Sequence, residues 1–312
     1  MRVFVTGATG FVMGAVARLL RKRGDGVVAL VRSPARATDL AGSGCELVAG
    51  DVVAPDATVI AALRECDALI HGAAIYEIGV SPERRRAMEQ TNVEGTRRML
   101  DAARAAGTKR VVYVSTIAAF GNTRGKVVTE GYEPTVAPTS AYEDTKRRAH
   151  EIAVTAARAG LPLVIVQPGQ VYGPNDHSTV GANFRAIAAG TLRYRAFEDL
   201  GLNLVHVDDL ADAIVRALDR GRAGECYVLG GEITTLGDAY RAVAEATGRS
   251  LPPLVVPAPL VRLAGRLIPS MSEVVSSADG VTFWAGDAKA RAELGTSPRG
   301  LRQGMRDTFA RG

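Results

Sequence analysis

The chain has 312 residues, a mass of 32.8 kDa and a net charge of +5, with 38 Lys and Arg against 33 Asp and Glu. With 47% hydrophobic and 23% charged residues, it has the composition of a globular protein, which excludes a mainly disordered, collagen-like or coiled-coil chain. The basic residues are dispersed and are not interleaved with aromatic residues, so we expect no nucleic-acid partner.

Short β-branched runs alternate with longer helical patterns through the first half of the chain. The runs predict strands over residues 3–6, 27–31, 45–49, 68–71, 110–115 and 163–167. The segments between them predict helices over residues 11–23, 56–64, 82–106 and 141–159. Alternation of this kind indicates βαβ units, and therefore an α/β protein with a doubly wound parallel sheet.

The regular alternation fades after residue 167. Residues 168–200 are rich in Gly, Pro and Asn. Beyond them the patterns predict strands over 203–207 and 226–229, and helices over 208–220, 236–247 and 259–267. We expect a sheet domain over residues 1–170 and a smaller C-terminal lobe over residues 171–312, with segments that return to the sheet.

The sequence predicts no membrane partner and a cytoplasmic location. The most apolar late stretch, residues 251–268, holds four prolines and two arginines, whereas a spanning helix needs about 20 apolar residues. The first residues, MRVFVTGATG, contain no apolar signal core. The cysteines, three in number and widely spaced without a CxxC pair, predict neither a disulfide framework nor a metal site and fit a reducing compartment.

A glycine-rich turn, TGATGFVMG, connects the first predicted strand to the first predicted helix. Glycines there let the backbone approach a pyrophosphate, and the helix N-terminus offers free N–H groups and positive potential. The turn therefore predicts dinucleotide binding in a Rossmann-type sheet. The predicted contacts are Gly7, Thr9, Gly10, Phe11 and Val12. Met13 stands where a third glycine is usual, and we expect it to affect helix–strand packing more than phosphate contact.

The second predicted strand ends in Val31-Arg32, without an acidic residue to bind the adenosine ribose and repel a 2′-phosphate. A guanidinium can pair with phosphate through two hydrogen bonds. Arg32 therefore favours NADP(H) as the cofactor, and NAD(H) stays possible. The alternative is that Arg32 is only a solvated charge at the end of a strand.

A second group of residues, around Tyr142, predicts catalysis. Tyr142 and Lys146 are four residues apart on a predicted helix and so share one face. Ser115 and Thr116 precede Tyr142 at the C-terminal end of the fifth strand, where open α/β sheets bind ligands. A tyrosine can exchange the proton of a reacting hydroxyl, and a nearby ammonium together with an oxidised nicotinamide would lower the tyrosine pKa from its usual value of about 10. We predict Thr116, Tyr142 and Lys146 as catalytic, with Ser115 as the fallback for Thr116.

These motifs together resemble the extended short-chain dehydrogenases/reductases, the NAD(P)-dependent epimerase/dehydratase family. The resemblance covers nearly the whole chain, through QPGQVYGPN at 167–175, GLNLVHVDDLADA at 201–213 and KARAELG at 289–295. Within this family the sequence is similar to the branch of dihydroflavonol reductase-like enzymes and hopanoid-associated sugar epimerases. The resemblance implies an NAD(P)-binding Rossmann domain and a substrate-binding C-terminal lobe. The further cofactor contacts that it implies are Asp51, Val52, Gly72, Ala73, Ala74, Asn92, Ser115, Tyr142, Lys146, Pro168 and Gly169.

The resemblance implies hydride transfer between NAD(P) and a carbonyl or secondary alcohol, with a tyrosine as acid and base. Two alternatives stay open: a sugar or nucleotide-sugar epimerase or dehydratase without net redox, and a non-catalytic dinucleotide sensor. The predicted substrate contacts are Tyr76, Gln170, Tyr172 and His177. No metal is expected, and the resemblance also implies a homodimer formed through the helices predicted over residues 82–106 and 141–159.

Overall fold

A seven-stranded parallel sheet lies at the centre of the protein, whose computed structural model describes residues 1–309. In chain order the strands are β1 (Arg2–Thr6), β2 (Gly26–Val31), β3 (Glu46–Ala49), β4 (Ala68–His71), β5 (Val111–Val114), β6 (Leu163–Pro168), β7 (Gln170–Tyr172), β8 (Gly201–His206), β9 (Cys226–Leu229) and β10 (Glu232–Thr235). The order across the sheet is β3-β2-β1-β4-β5-β6-β9, which is the doubly wound Rossmann arrangement. The predicted fold class is thus confirmed.

Helices cover both faces of this sheet. In chain order they are α1 (Phe11–Lys22), α2 (Thr38–Gly42), α3 (Ala57–Arg64), α4 (Pro82–Met88), α5 (Gly95–Ala106), α6 (Ala141–Arg158), α7 (Thr179–Ala188), α8 (Val207–Arg220), α9 (Leu236–Thr247), α10 (Ala258–Leu267), α11 (Pro269–Ser276), α12 (Ala288–Leu294) and α13 (Leu301–Phe309). Helices α1 and α8 enclose one core with the sheet, and α3, α5 and α6 enclose the other. Because β2, β4, β5 and β6 are buried on both faces, they appear in the sequence as continuous apolar runs, whereas the edge strand β3 is partly exposed.

The helix predicted over residues 82–106 contains an irregular segment. Helix α4 continues into α5 through a π-helical segment, Glu89–Glu94. Such segments often occur at functional sites, because the extra residue turns side chains out of the regular helical register. Here the segment carries Asn92, one of the predicted cofactor contacts.

A second, three-stranded sheet covers the C-terminal edge of the first. Its order is β10-β8-β7, and α7, α9 and α13 pack with it around a separate core. The sequence patterns did not predict β7, β10, α2, α7, α11, α12 or α13, because their segments are short or rich in Gly, Pro and Asn. Strand β9 returns from this half of the chain and pairs with β6 of the main sheet. The domain boundary at residue 170 stays a prediction.

Three further observations concern residues 1–309. None of their helices combines the length and apolar character that membrane crossing requires. They contain no group of three or more His, Cys, Asp or Glu side chains placed to hold a metal ion. The thiols of Cys45, Cys66 and Cys226 are free.

Candidate active site

A cleft of about 1040 Å³ follows the C-terminal ends of the central strands and continues into the C-terminal half of the chain. Ligands bind at this edge of open α/β sheets, because the strand order reverses there and leaves a crevice. The predicted site residues that line the cleft are Gly7, Thr9, Gly10, Phe11, Val12, Arg32, Asp51, Val52, Gly72, Ala73, Ala74, Tyr76, Thr116, Tyr142, Gly169, Gln170 and His177. Residues far apart in the chain therefore share one space.

The turn between β1 and α1 has the geometry of an anion site. Gly7 has a φ of +79°, and a Cβ atom at that position would lie 2.9 Å from the backbone of Ala73. Gly10 begins α1 with no side-chain hydrogen bond to the free N–H groups, and the first turn holds no acidic residue. These N–H groups and the positive helix end are thus open to a negative group. The turn fits the pyrophosphate of a dinucleotide.

Met13 fills the space between α1 and the end of β4. Its side chain is 3% exposed, lies against Gly72 and lines the cleft. A side chain at Gly72 would collide with the Met13 sulfur atom, so the pair Met13 and Gly72 takes the place of the close contact that a third glycine usually provides. Met13 therefore takes part in helix–strand packing, and it also contributes to the cleft wall.

Two polar residues line the cleft at the ends of β2 and β3. Arg32 is exposed, and none of the ion pairs found within residues 1–309 includes it. Asp51 follows β3, and its Oδ1 atom accepts a hydrogen bond of 3.0 Å from the N–H of Val53. Asp51 is thus held by its own turn, whereas the Arg32 guanidinium is available to a ligand.

Asn92 supports the cleft wall from behind. Its Oδ1 atom accepts a 2.8 Å hydrogen bond from the N–H of Ile75, and its Nδ2 atom donates to the Ile75 carbonyl at 3.0 Å. The same Nδ2 atom donates to Thr145 Oγ1 at 3.1 Å. Asn92 is 1% exposed, so it joins the segment after β4 to helix α6 without lining the cleft.

Thr116 and Tyr142 both line the cleft, at the end of β5 and at the start of α6. Tyr142 lies in the first turn of α6, which Ser140 begins by accepting a hydrogen bond from the N–H of Glu143 at 3.2 Å. Its ring packs edge-on against Tyr76, with 4.7 Å between ring centroids. Thr116 follows β5, and its Oγ1 atom accepts a 3.1 Å hydrogen bond from the N–H of Ala118. The two predicted catalytic side chains are thus held by the ends of regular elements.

Lys146 lies one helical turn after Tyr142 and is 3% exposed. Its Nζ atom donates to the carbonyl of Val114 at 3.0 Å and to the Tyr113 hydroxyl at 3.3 Å. The ammonium also lies 5.0 Å from the centroid of the Tyr113 ring. Tyr113 is therefore a direct partner of the predicted catalytic lysine, and sequence reasoning treated it only as a strand residue.

Burial controls the pKa values of these groups. It raises the pKa of Tyr142, and a hydrogen bond with Thr116 opposes this effect only in part. Burial also lowers the pKa of Lys146 to about 7. Desolvation of the phenolate thus outweighs the hydrogen bond that favours it, and the lowering of the Tyr142 pKa by Lys146 together with an oxidised nicotinamide stays a prediction.

Two neutral histidines flank Lys146. Burial and the charge of Lys146 lower the pKa of His71 to about 3 and that of His150 to about 4. Both imidazoles are therefore neutral near pH 7 and act as hydrogen-bonding groups. His150 Nδ1 lies 3.0 Å from the hydroxyl of Ser115, so Ser115 is directed towards α6 and away from the cleft.

Two more predicted site residues lie in the interior. Pro168 ends β6 and is buried without lining the cleft. Tyr172 is 1% exposed and packs edge-on against His206, with 5.4 Å between ring centroids. Contrary to the prediction, Tyr172 does not line the cleft. Strand β7 directs its ring into the core of the second sheet, towards α13.

From the sequence we expect residues 172–194 and 271–284 to contribute to the pocket, but the patterns single out none of the apolar side chains with which the C-terminal half lines it. Six apolar side chains line this part of the cleft and form what we call the apolar wall: Leu192, Phe197, Leu200, Leu236, Val274 and Phe283. Sequence reasoning also missed Glu273 of α11, whose carboxylate accepts a 2.5 Å hydrogen bond from the N–H of Ala141 at the start of α6. A pattern of apolar residues cannot separate a cleft wall from a core, and Glu273 has no local motif.

The chain is similar to known proteins over most of its length. Residues 3–230 match the model of the NAD dependent epimerase/dehydratase family. A protein described as a dihydroflavonol 4-reductase, from Synechocystis sp., is 32% identical over 97% of this chain and 92% of its own length. Sterol demethylase protein B of Methylococcus capsulatus is 32% identical over 84% of this chain and 79% of its own length. The crystal structure of gox2253 superimposes with a TM-score of 0.86, with 34% identity over 99% of this chain and 97% of that chain.

Proposed function

Since the chain belongs to the NAD dependent epimerase/dehydratase family, we propose that it catalyses net hydride transfer between NADP(H) and a carbonyl compound or secondary alcohol. Membership confirms the resemblance to extended short-chain dehydrogenases/reductases and makes the chain an NAD(P)-dependent oxidoreductase. The observation that carries the finer proposal is the single space shared by the β1–α1 turn, Arg32, Thr116 and Tyr142. The reductase name of the Synechocystis relative supports net redox.

The side chains have distinct roles in this proposal. The nicotinamide, when bound, supplies the hydride in reduction and accepts it in oxidation. Tyr142 donates its proton to the carbonyl oxygen in reduction and takes a proton from the hydroxyl in oxidation. Thr116 donates a hydrogen bond to the same oxygen. The Lys146 ammonium holds the ribose hydroxyls and favours the phenolate form of Tyr142.

The cofactor contacts follow the strand ends in this proposal. The turn residues Gly7 to Val12 hold the pyrophosphate, and Arg32 pairs with the 2′-phosphate of the adenosine ribose. Asp51 and Val52 contact the adenine. The remaining contacts lie around the nicotinamide and its ribose: Gly72, Ala73, Ala74 and Gly169.

The preference for NADP(H) can be tested with Arg32→Ala. Charge-assisted hydrogen bonds contribute about 1.5–3 kcal/mol, so we expect NADP⁺ to bind about 10- to 100-fold more weakly to the variant while NAD⁺ binding changes little. Thermal shift and titration with each cofactor measure this difference. Arg36→Ala is the matched control, because Arg36 is an exposed arginine on the same segment that does not line the cleft. Equal stabilisation of the unmodified protein by NADP⁺ and NAD⁺ would refute the proposed preference.

An epimerase is the second candidate, since a UDP-glucose 4-epimerase of Mycolicibacterium smegmatis is 31% identical over 80% of this chain and 83% of its own length. The two functions differ in net redox. Stoichiometric loss of NADPH absorbance with a ketone supports the reductase, whereas isomerisation of a sugar without net NADPH loss supports the epimerase. The dinucleotide sensor is disfavoured, because Thr116, Tyr142 and Lys146 are all present. We also propose a cytoplasmic location on the basis of the free thiols.

A further inference from the structure

We infer that the substrate is a bulky, uncharged apolar carbonyl compound or alcohol rather than a nucleotide diphosphate sugar. The inference builds on the proposed function and specifies what the C-terminal part of the cleft recognises. Three sets of observations carry it: the apolar side chains of the wall, the charged side chains beside it, and the carboxylate that already occupies the N-terminus of helix α7.

The apolar wall is an extension of a packed core. Leu200 and Leu236 are 9% and 4% exposed, and Leu192, Phe197 and Phe283 pack against the same core of the second sheet. The wall therefore cannot rotate away to make room for hydrated charges. An apolar ligand removes this surface from water at a gain, whereas a sugar phosphate would leave its polar groups without partners.

The charged side chains beside the wall do not suit a diphosphate. Arg193 is an exposed cation at the cleft, but Glu143 and Asp176 line the same space and are buried. Arg195, two residues further on, pairs with Glu198 at 2.7 Å and does not line the cleft. The Glu143 carboxylate accepts from Thr139 and lies near Arg147, so Asp176 is the carboxylate that offsets the charge of Arg193 and makes this part of the cleft unfavourable for a ligand with two negative charges.

The N-terminus of α7, which could bind a phosphate, already has an anion. The Asp176 carboxylate accepts hydrogen bonds from the N–H of Ser178 at 2.8 Å and from its hydroxyl at 3.0 Å. The Ser178 hydroxyl in turn accepts from the N–H of Gly181 at 3.1 Å. A phosphate at this end would meet a carboxylate of like charge and a capped N–H group, in contrast to the open N-terminus of α1.

The polar groups of the reacting centre lie at one end of the apolar wall. Tyr142, Thr116 and Gln170 line the cleft with hydrogen-bonding side chains that can orient a substrate carbonyl, and the Asn183 amide, which also lines the cleft, already donates to Tyr240 at 2.9 Å. Binding sites of this kind combine a mostly apolar lining with a few polar groups that orient the ligand. A ligand with one carbonyl group and a large hydrocarbon body matches this distribution.

The first test compares three probes on the full chain loaded with cofactor: 2-tetralone, cyclohexanone and UDP-glucose. In the reaction NADPH is oxidised to NADP⁺, its hydride goes to the carbonyl carbon, and Tyr142 protonates the oxygen before it regains a proton from water. We expect 2-tetralone to exceed cyclohexanone in kcat/KM by about 10-fold or more, because its second ring adds buried hydrocarbon. We expect millimolar UDP-glucose neither to react nor to inhibit.

The second test places a charge in the wall. Val274→Asp should lower kcat/KM for 2-tetralone by about 10-fold or more, with the Kd of NADPH unchanged. Val127→Asp is the matched control, because Val127 is 56% exposed and does not line the cleft.

Three results would overturn the inference: competition by UDP-glucose, no binding of 2-tetralone at its solubility limit, and equal effects of the two Asp variants. These results differ from failure of the proposed function. A protein that binds no NADP(H), or that turns over equally well as Tyr142→Phe, contradicts the proposed function itself.

Discussion

Lys146 belongs to a buried polar network beneath the strand ends. Its partner Tyr113 stacks on His71, with 5.8 Å between ring centroids. His71 Nδ1 lies 2.7 Å from Thr6 Oγ1, and His71 Nε2 lies 3.3 Å from Thr96 Oγ1. These groups connect Lys146 to β1, the strand that leads into the glycine turn. Fully satisfied buried networks of this kind limit the orientations that their members can take.

The first prediction at this scale concerns the proton of Tyr142. Tyr142→Phe keeps the ring that packs on Tyr76 and removes the hydroxyl, so kcat should fall by about 10²–10⁴ with the Kd of the cofactor unchanged. Tyr132→Phe is the control, because Tyr132 packs on Phe120 and does not line the cleft. Steady-state kinetics and cofactor titration measure both quantities, and unchanged turnover would exclude Tyr142 as the acid and base.

The second prediction at the residue scale concerns Tyr113. Tyr113→Phe removes an acceptor from the Lys146 ammonium, so the charged form loses stabilisation and the Lys146 pKa falls further. Because activity needs the ammonium, the alkaline limb of the kcat–pH profile should move to lower pH by about one unit.

The chain provides a matched control for Tyr113→Phe. Lys289 likewise lies over a tyrosine ring, 4.7 Å from the centroid of Tyr227 and away from the cleft, but the Tyr227 hydroxyl donates to Glu293 and accepts no hydrogen bond from the ammonium. Tyr227→Phe should leave the pH profile in place. A similar shift in both variants, or in neither, would show that Tyr113 does not act through Lys146.

At the scale of elements, α11 holds two parts of the site together. Glu273 accepts hydrogen bonds from the N–H of Ala141 at 2.5 Å and from the N–H groups of Gly79 and Val80 at 3.0 and 3.4 Å. Its carboxylate thus joins the N-terminus of α6 to the segment after β4, which carries Tyr76. A negative charge is also favourable at the positive end of a helix.

Glu273→Gln tests this connection. The amide oxygen can still accept one of the hydrogen bonds, but the charge is lost, so we expect about 1–2 kcal/mol of destabilisation. We also expect a higher KM for the substrate, because the wall that carries Tyr76 loses support. Urea unfolding and steady-state kinetics measure the two effects. The surface pair Glu245–Arg302, at 3.2 Å, supplies the control Glu245→Gln, which should cost close to nothing. Equal stability losses in the two variants would contradict the proposed role of Glu273.

At the scale of the whole molecule, the cleft depends on both halves of the chain. The first half supplies the strand ends and the glycine turn, and the second supplies the apolar wall and α11. Strand β9 pairs with β6 and so anchors the second half to the main sheet. A fragment that ends near residue 170 would lack both this strand and half of the cleft.

The predicted homodimer belongs to this scale. If α5 and α6 form the interface, light scattering after gel filtration should give a mass twice the 32.8 kDa of one chain. Ala105→Arg places a bulky charge on the exposed face of α5 and should shift the mass towards that of the monomer. Ala223→Arg, at an exposed alanine outside α5 and α6, should not. A monomeric unmodified protein would refute the prediction.

The sequence by itself determined the features that depend on neighbours along the chain. Strands buried on both faces and the helices between them have characteristic local patterns, so the parallel sheet and most element bounds were predictable. The glycine turn and the i, i+4 pair Tyr142 and Lys146 are also local relations. The glycine turn was enough to predict dinucleotide binding, and the oxidoreductase activity was implied by the family resemblance that these motifs carry.

Only the tertiary structure decided which residues from distant segments meet. It placed Tyr172 in a core and Phe283 at the cleft, although both are aromatic residues in weakly patterned segments. It also brought Glu273 to the start of α6, 132 residues away in the chain. Burial and hydrogen bonding between such residues depend on how whole elements pack, and periodicity carries no information about that packing.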